Sequence, residues 1–121
     1  MSQSIRNHRH VVIAIDYDGT ITDDTPFPYE GKIRPEALKF IPLLYSRGYT
    51  LILWTARKQY YYNEAYDRLK KSGLLQYFSS IKSTDIGYTG KIQADYYIDD
   101  RACFGPLDWK KIYNYIISKE D

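Results

Sequence analysis

Apolar runs alternate with amphipathic stretches along most of the chain, which predicts an alternation of strands and helices. The runs Val11–Ile15, Thr50–Trp54 and Tyr96–Ile98 are almost continuously apolar or β-branched, as is typical of strands buried on both faces of a parallel sheet. Phe78–Ser83 predicts one more short strand. Strands that alternate with helices over this length indicate an α/β fold, a three-layer sandwich with a mainly parallel, Rossmann-like sheet.

Helical spacing of apolar residues predicts three helices. Pro35 begins the first, over roughly 35–47, and Pro42 within it is expected to kink or split that helix. The second is predicted over about 59–72, and Pro106 is expected to open the third. The predicted stripes are Leu38, Ile41, Leu44 and Tyr45 in the first helix, Tyr62, Ala65, Tyr66 and Leu69 in the second, and Trp109, Ile112, Tyr113 and Ile116 in the third.

The length of the chain predicts one domain. Its 121 residues suit a single hydrophobic core, and no linker or repeat divides them. We assign residues 11–121 to that domain and residues 1–10 to a flexible lead-in, which is polar and basic and lacks the apolar stretch of a secretory signal. Residues 20–34 are rich in Thr, Asp, Pro and Gly and predict a loop or a small hairpin.

Composition excludes several classes of protein. Hydrophobic residues make up 44% of the chain and charged residues 26%, which argues against a disordered or membrane-spanning protein. The formal charge of +2 is far from that of a dedicated nucleic-acid binder. Because Cys103 is the only cysteine, an intramolecular disulfide and a thiolate-rich metal site are excluded, and we expect a cytoplasmic location.

Polar side chains stand where three of the predicted strands end, at Asp16, Thr55 and Asp99. Because ligands of open parallel sheets bind beyond the carboxyl ends of the strands, these positions are expected to meet in one crevice. Asp18 and Asp100 would join them, and the mutual repulsion of four carboxylates requires a cation or a proton among them. Oxygen ligands without His or Cys suit Mg²⁺, so we predict a Mg²⁺ site there.

The same residues resemble the motifs of the haloacid dehalogenase (HAD) superfamily of phosphohydrolases. Asp16–Thr20 reads DYDGT after an apolar strand, Thr55 ends the second strand, Lys91 comes next, and Asp99–Asp100 follow the last strand. The likeness extends from about residue 11 to residue 102. This resemblance implies that the chain folds as a HAD-type phosphatase domain with a central, mainly parallel sheet.

The resemblance implies a two-step hydrolysis of phosphomonoesters. Asp16 would attack phosphorus and form an aspartyl-phosphate, which splits one difficult step into two easier ones. Asp18 would protonate the leaving oxygen and then activate water. The metal ligands implied are the Asp16 carboxylate, the backbone carbonyl of Asp18, and Asp99, Asp100 or both.

Three further residues are predicted to bind the phosphate group. Thr55 would donate its hydroxyl to a phosphoryl oxygen, and Lys91 would neutralise charge that develops on the transferring group. Lys82 is the alternative lysine, since Lys91 lies only eight residues before Asp99. Arg57 suits a bidentate contact to the phosphate.

We predict no cap domain. The interval 20–35 holds a loop, and the interval 55–91 holds one helix and a short strand. An open site is expected to admit a small phosphorylated molecule or the phosphorylated end of a macromolecule.

The segments Thr55–Arg57 and Ile98–Arg101 are also similar to polynucleotide 3′-phosphatase domains, which keeps a nucleic-acid substrate open. Bases would then stack on Tyr60, Tyr61 or Tyr62. A phosphotransferase is a second alternative, because an aspartyl-phosphate can pass its phosphoryl group to an alcohol. A receiver-like phospho-switch would place the acidic pair first, the reverse of the order here, and a non-catalytic binding module would not need every motif residue.

Overall fold

The computed structural model of the chain describes residues 10–26, 29, 31–55, 59–83, 93–100 and 106–121. The strands are β1 (Val12–Asp16), β2 (Thr50–Thr55), β3 (Phe78–Ser83) and β4 (Tyr96–Ile98), and the helices are α1 (Pro35–Ser46), α2 (Gln59–Ser72) and α3 (Trp109–Glu120). A short 3-10 helix, Leu75–Tyr77, leads into β3. None of the described helices is long and apolar enough to cross a bilayer.

The four strands form one all-parallel sheet in the order β3-β2-β1-β4. The predicted α/β class is therefore confirmed, and the arrangement is consistent with a three-layer Rossmann-like sandwich. Asp16 pairs with Trp54 of β2, and Ile15 pairs with Ile98 of β4. This register brings the last residue of β1 level with the ends of both neighbouring strands.

Buried residues of the strands and helices form the described hydrophobic core together. Ile13, Ile15, Leu51 and Leu53 alternate along β1 and β2 and are almost completely buried. The buried residues of all three helices join them in one cluster, and these are Ala37, Phe40, Ile41, Leu44, Ala65, Leu69, Trp109 and Ile116. Burying each Ile or Leu contributes about 1.5–3 kcal/mol. Because side chains alternate along a strand, Asp16 lies on the opposite pleat from Ile15.

The buried stripe of α1 is rotated from the predicted one. Leu38 and Tyr45 are 43% and 51% exposed, whereas Ala37 and Phe40 are buried. Phe40 faces α3, where its ring lies 5.3 Å from that of Tyr113. The apolar residues of α1 occupy more than one side of the helix, so their spacing alone does not determine which side is buried.

Of the two outcomes predicted at Pro42, a kink or a split, the split is wrong, since one helix continues through it to Ser46. Proline frees the carbonyl four residues earlier, here that of Leu38. Leu38 is largely exposed, so this carbonyl lies on the side of the helix where water can satisfy it.

The beginning of α3 also differs from the prediction. The helix starts at Trp109 instead of Pro106, and Asp108 is its N-cap. The carboxylate of Asp108 accepts a hydrogen bond of 3.1 Å from the backbone N–H of Lys111, which satisfies a donor left free by the first turn. In α2, Ala65 and Leu69 are buried as predicted, but Tyr66 is 39% exposed.

Residues between β1 and α1 form the small hairpin that was one of two predicted alternatives. Thr22 and Ile33 form an antiparallel bridge. The N–H of Asp23 donates to the carbonyl of Lys32 at 2.8 Å, and the N–H of Arg34 donates to the carbonyl of Ile21 at 2.8 Å. The hairpin begins directly beyond the carboxyl end of β1.

Candidate functional site

Three carboxylates meet at the carboxyl edge of the sheet. Asp16 ends β1, and Asp99 and Asp100 directly follow β4. One carboxylate oxygen of each lies within 4.8 Å of those of the other two, and all three residues are half-buried. Because Ile15 is in register with Ile98, the next residues, Asp16 and Asp99, are neighbours. We call Asp16, Asp99 and Asp100 the acidic triad.

The electrostatics of the triad disfavour a charged Asp16 in the absence of a cation. The pKa of the Asp16 carboxyl is raised to about 7, mainly by burial and next by the nearby charge of Asp99. Asp18 and Asp100 act in the same direction, whereas a hydrogen bond from the backbone of Tyr17 lowers the pKa. A divalent cation would reverse this balance, since it favours ionised carboxylates.

A tight turn follows Asp16 and determines where the motif residues lie. The carbonyl of Tyr17 accepts hydrogen bonds from the N–H groups of Thr20, Ile21 and Thr22 at 3.0–3.2 Å. Within the turn, the N–H of Gly19 donates to Thr22 Oγ1 at 3.1 Å. Gly19 has φ +80°, a conformation that glycine adopts without steric cost.

Thr20 connects two members of the triad and is completely buried. Its hydroxyl accepts a hydrogen bond of 3.0 Å from the N–H of Asp100 and donates to Asp16 Oδ2 at 3.4 Å. Its carbonyl accepts from the indole Nε1 of Trp109 at 2.9 Å. One buried threonine thus joins β1, β4 and α3 at the site.

Sequence reasoning noted Thr20 only as a letter of the DYDGT motif and Trp109 only as a core residue. The motif was the available signal for Thr20. No signal pointed to Trp109, because its partner lies 89 positions away.

Gly19 lies directly against Asp100. A Cβ atom at position 19 would lie 2.6 Å from Asp100 Oδ2 and 3.1 Å from its carboxyl carbon. Such a distance is too short for unbonded atoms, so a side chain at this position requires Asp100 or the turn to move. Glycine is therefore required at position 19 for two reasons, the positive φ of the turn and the close approach of Asp100, which follows β4.

Gly19→Ala is expected to separate the triad, whereas Gly48→Ala is its matched control. Both glycines have a positive φ, +80° and +88°, so each substitution should cost about 1–2 kcal/mol of backbone strain. A Cβ at Gly48 meets nothing within 4 Å. We expect both variants to lose stability in urea unfolding without metal, Gly19→Ala at least as much as Gly48→Ala because its Cβ also meets Asp100. We expect added Mg²⁺ to stabilise Gly48→Ala and not Gly19→Ala. Equal stabilisation by Mg²⁺ in the two variants would contradict this role for Gly19.

The remaining described candidates surround the triad at different distances. Asp18 is not a member of the triad, although its charge raises the pKa of Asp16. Thr55 is buried at the end of β2. Lys82 pairs with Trp54, which pairs with Asp16, so Lys82 is level with Asp16 two strands away. At the usual strand spacing their Cα atoms are roughly 10 Å apart.

Other predicted residues are not described. Arg57 and Lys91 lie outside the described residues, as do the side chains of Tyr60 and Tyr61. Tyr62 is half-buried, and its ring lies 6.5 Å from that of Tyr66 on the same helix. Burial raises the pKa of its hydroxyl, and Tyr66 adds to the effect.

A cavity of about 550 Å³ opens at the opposite edge of the sheet. Tyr45, Tyr49, Tyr77 and Phe78 contribute aromatic rings to its lining, together with the amino end of β2. No member of the triad lines this cavity. The chemistry-bearing residues and the cavity are therefore separate features.

The fold and the site define a parallel α/β domain with a carboxylate triad at the carboxyl edge of its sheet. No family model matches the chain, and no curated protein matches it. Among solved structures it is similar to a conserved protein from Bacteroides thetaiotaomicron, at 32% identity over 93% of this chain and 94% of that one, with a TM-score of 0.76. The chain belongs to the same family as that conserved protein, whose description names no activity.

Proposed function

We propose that the chain is a Mg²⁺-dependent phosphomonoester hydrolase of the HAD type, with Asp16 as the nucleophile. The observation that supports it is the acidic triad, three carboxylates with oxygens within 4.8 Å of one another at the edge of the sheet where ligands of parallel α/β folds bind. The order of the motifs along the chain, which resembles that of HAD phosphohydrolases, indicates hydrolysis of phosphomonoesters as the reaction.

The donor set of the triad fits Mg²⁺. Its ligands would be hard carboxylate oxygens from Asp16, Asp99 and Asp100, and a magnesium ion commonly takes one or two carboxylates together with water and phosphate oxygens. Such an ion offsets the repulsion among the carboxylates and the charge of an approaching phosphate. The raised pKa of Asp16 supports the same proposal, because a carboxyl with a pKa of about 7 is only partly ionised at neutral pH unless a cation favours its ionised form.

Asp16 is held in a position suited to nucleophilic attack. Its Oδ2 accepts a hydrogen bond from buried Thr20, which restricts the rotation of the carboxylate. In the first step an oxygen of Asp16 forms a bond to phosphorus while the ester P–O bond breaks. Asp18 gives its proton to the departing ester oxygen.

In the second step water attacks the phosphorus of the aspartyl-phosphate. Asp18, now ionised, takes a proton from that water, the bond between phosphorus and Asp16 breaks, and inorganic phosphate leaves. Both carboxyl groups are then in their initial state. Asp16 ends β1 and Asp18 lies in the turn that follows, so one backbone segment positions the nucleophile and the acid–base group.

Thr55 and Lys82 are the described groups that would bind the phosphate. Lys82 is level with Asp16 in the register of the sheet, and Thr55 lies one residue beyond that level, at the end of β2. A hydroxyl and an ammonium group there would stabilise charge on the phosphoryl oxygens in the transition state. Arg57 and Lys91 remain predictions for the same role. The substrate is a small phosphorylated molecule or a phosphorylated macromolecular end, including a nucleic-acid end.

The test is phosphate release from a panel of substrates with Mg²⁺ and with EDTA. The panel contains an aryl phosphate, sugar phosphates, nucleotides and 3′-phosphorylated oligonucleotides, each also assayed with added alcohol as an alternative acceptor. We expect release from at least one substrate with Mg²⁺ and a fall to background with EDTA. No metal-dependent release from any of them contradicts the proposal, and transfer to the alcohol in preference to water identifies a phosphotransferase.

A further inference from the structure

Arg34, at the end of the hairpin, makes three hydrogen bonds with its side chain. Nε donates to the carbonyl of Thr22 at 2.8 Å, and Nη2 donates to the carbonyl of Gly19 at 2.9 Å. Nη2 also contacts Asp24 Oδ1 at 2.9 Å. The side chain of Arg34 is 18% exposed and its two bonds to carbonyls are part-buried, whereas Asp24 is 88% exposed.

The two carbonyls that Arg34 binds enclose the residue that connects the triad. Thr20 lies between Gly19 and Thr22 in sequence, and its hydroxyl bonds to the N–H of Asp100 and to Asp16. Gly19 itself lies directly against the carboxylate of Asp100, since a Cβ atom at this position would be only 2.6 Å from Asp100 Oδ2. The guanidinium therefore holds both ends of the segment that faces β4.

We propose that Arg34 is a positioning residue for the acidic triad. Its guanidinium fixes the turn after β1 so that Asp16 stays beside the two acids of β4 in spite of their mutual repulsion. This inference rests on the proposed function for the identity of the cation that the triad holds. It assigns to Arg34 a role in the site without contact to the substrate.

The shape of the arginine side chain is what the arrangement requires. A guanidinium is planar and can donate from Nε and Nη2 to two carbonyls at once, whereas a lysine ammonium is a point charge at the end of a flexible stem. Asp24 accepts the same Nη2 and keeps the guanidinium paired. We therefore expect Arg34→Lys to keep the charge and lose part of the fixation.

Arg47 offers a matched control. It follows α1 at the amino edge of the sheet, away from the triad, and its Nη2 donates to both oxygens of Asp121 at 2.9 and 2.7 Å. Arg47→Met removes a hydrogen-bonded arginine from the same domain, as Arg34→Met does. A general loss of stability would affect both variants, whereas displacement of the turn would affect only Arg34→Met.

The first measurement needs no metal. The indole N–H of Trp109 donates to the carbonyl of Thr20, so its hydrogen exchange by NMR reports on the turn. We expect Arg34→Met to accelerate this exchange about tenfold, Arg34→Lys to accelerate it less, and Arg47→Met to leave it unchanged. Wild-type exchange in Arg34→Met, or in Arg34→Lys if the methionine variant does not fold, overturns the proposal.

The second measurement is calorimetric titration of the same variants with Mg²⁺. We expect about tenfold weaker binding in Arg34→Met, an intermediate value in Arg34→Lys, and wild-type binding in Arg47→Met. Faster indole exchange with unchanged Mg²⁺ affinity overturns the positioning role, because Arg34 then only stabilises the fold. Faster exchange in Arg34→Met, together with no Mg²⁺ binding by the wild type, contradicts the proposed function and leaves the fixation of the turn supported.

Discussion

Asp16→Asn is expected to lower Mg²⁺-dependent phosphate release by roughly three orders of magnitude or more. The amide keeps the shape of the side chain and its hydrogen-bonding position near Thr20, but it cannot form an acyl-phosphate. Removing the nucleophile of a covalent mechanism lowers kcat by this much, because the other residues of the site act on an intermediate that then no longer forms.

The measurement is kcat at saturating substrate and Mg²⁺, with Asp67→Asn as the control. Asp67 is an exposed residue of α2, so this control makes the same chemical change away from the triad. We expect it to retain the wild-type rate. If Asp16→Asn kept a tenth of the wild-type kcat, Asp16 would not be the nucleophile.

The second large effect concerns stability without metal. The pKa of Asp16 rises from 3.8 to about 7 on folding, so the folded protein binds more protons than the unfolded chain between these values. Stability therefore falls as the pH rises through this window, and the loss is complete above pH 7. Asp16→Asn removes the titrating group and should stabilise the metal-free protein by on the order of 4 kcal/mol at pH 8.

Urea unfolding in EDTA at pH 4 and pH 8 measures this difference. At pH 4 the wild type and Asp16→Asn should be nearly equal, because Asp16 is protonated in the folded state. Saturating Mg²⁺ at pH 8 should stabilise the wild type and have much less effect on the variant. A wild type more stable than Asp16→Asn in EDTA at pH 8 would show that the burial of Asp16 carries no such cost.

The strands and the meeting of the acids could be predicted from the sequence. Continuous apolar runs are distinctive, and the last three of the four predicted strands agree with the structure almost to the residue. Parallel strands end at one edge of the sheet, which is why Asp16 and Asp99 were expected to be close and are. Both inferences need only local pattern and the geometry of parallel sheets.

The contacts that hold the site together could not be predicted in this way. Trp109 reaches Thr20 across 89 positions, and Arg34 reaches Gly19 through the folding of a hairpin. Neither residue belongs to a motif, and both depend on how elements pack. Pro106 predicts the start of α3 because proline commonly opens helices, but the helix begins at Trp109, where the carboxylate of Asp108 caps it.

Four carboxylates were expected in one crevice, and three form the cluster. Asp18 stands two positions after Asp16, but the turn intervenes, so its side chain does not continue the pleat of β1. Its proposed role differs accordingly, since an acid–base group faces the leaving oxygen and need not be a carboxylate ligand. The roles of Arg57 and Lys91 stay predictions.

Capture of the covalent intermediate tests the account most directly. The wild type is mixed with substrate and Mg²⁺, quenched within the first turnover in hydroxylamine, and digested for mass spectrometry. An acyl-phosphate reacts with hydroxylamine to give a hydroxamate, and we predict this product at Asp16 in the wild type with Mg²⁺ and its absence in EDTA. Phosphate release without any hydroxamate, or a hydroxamate at another carboxylate, would contradict the assignment of Asp16.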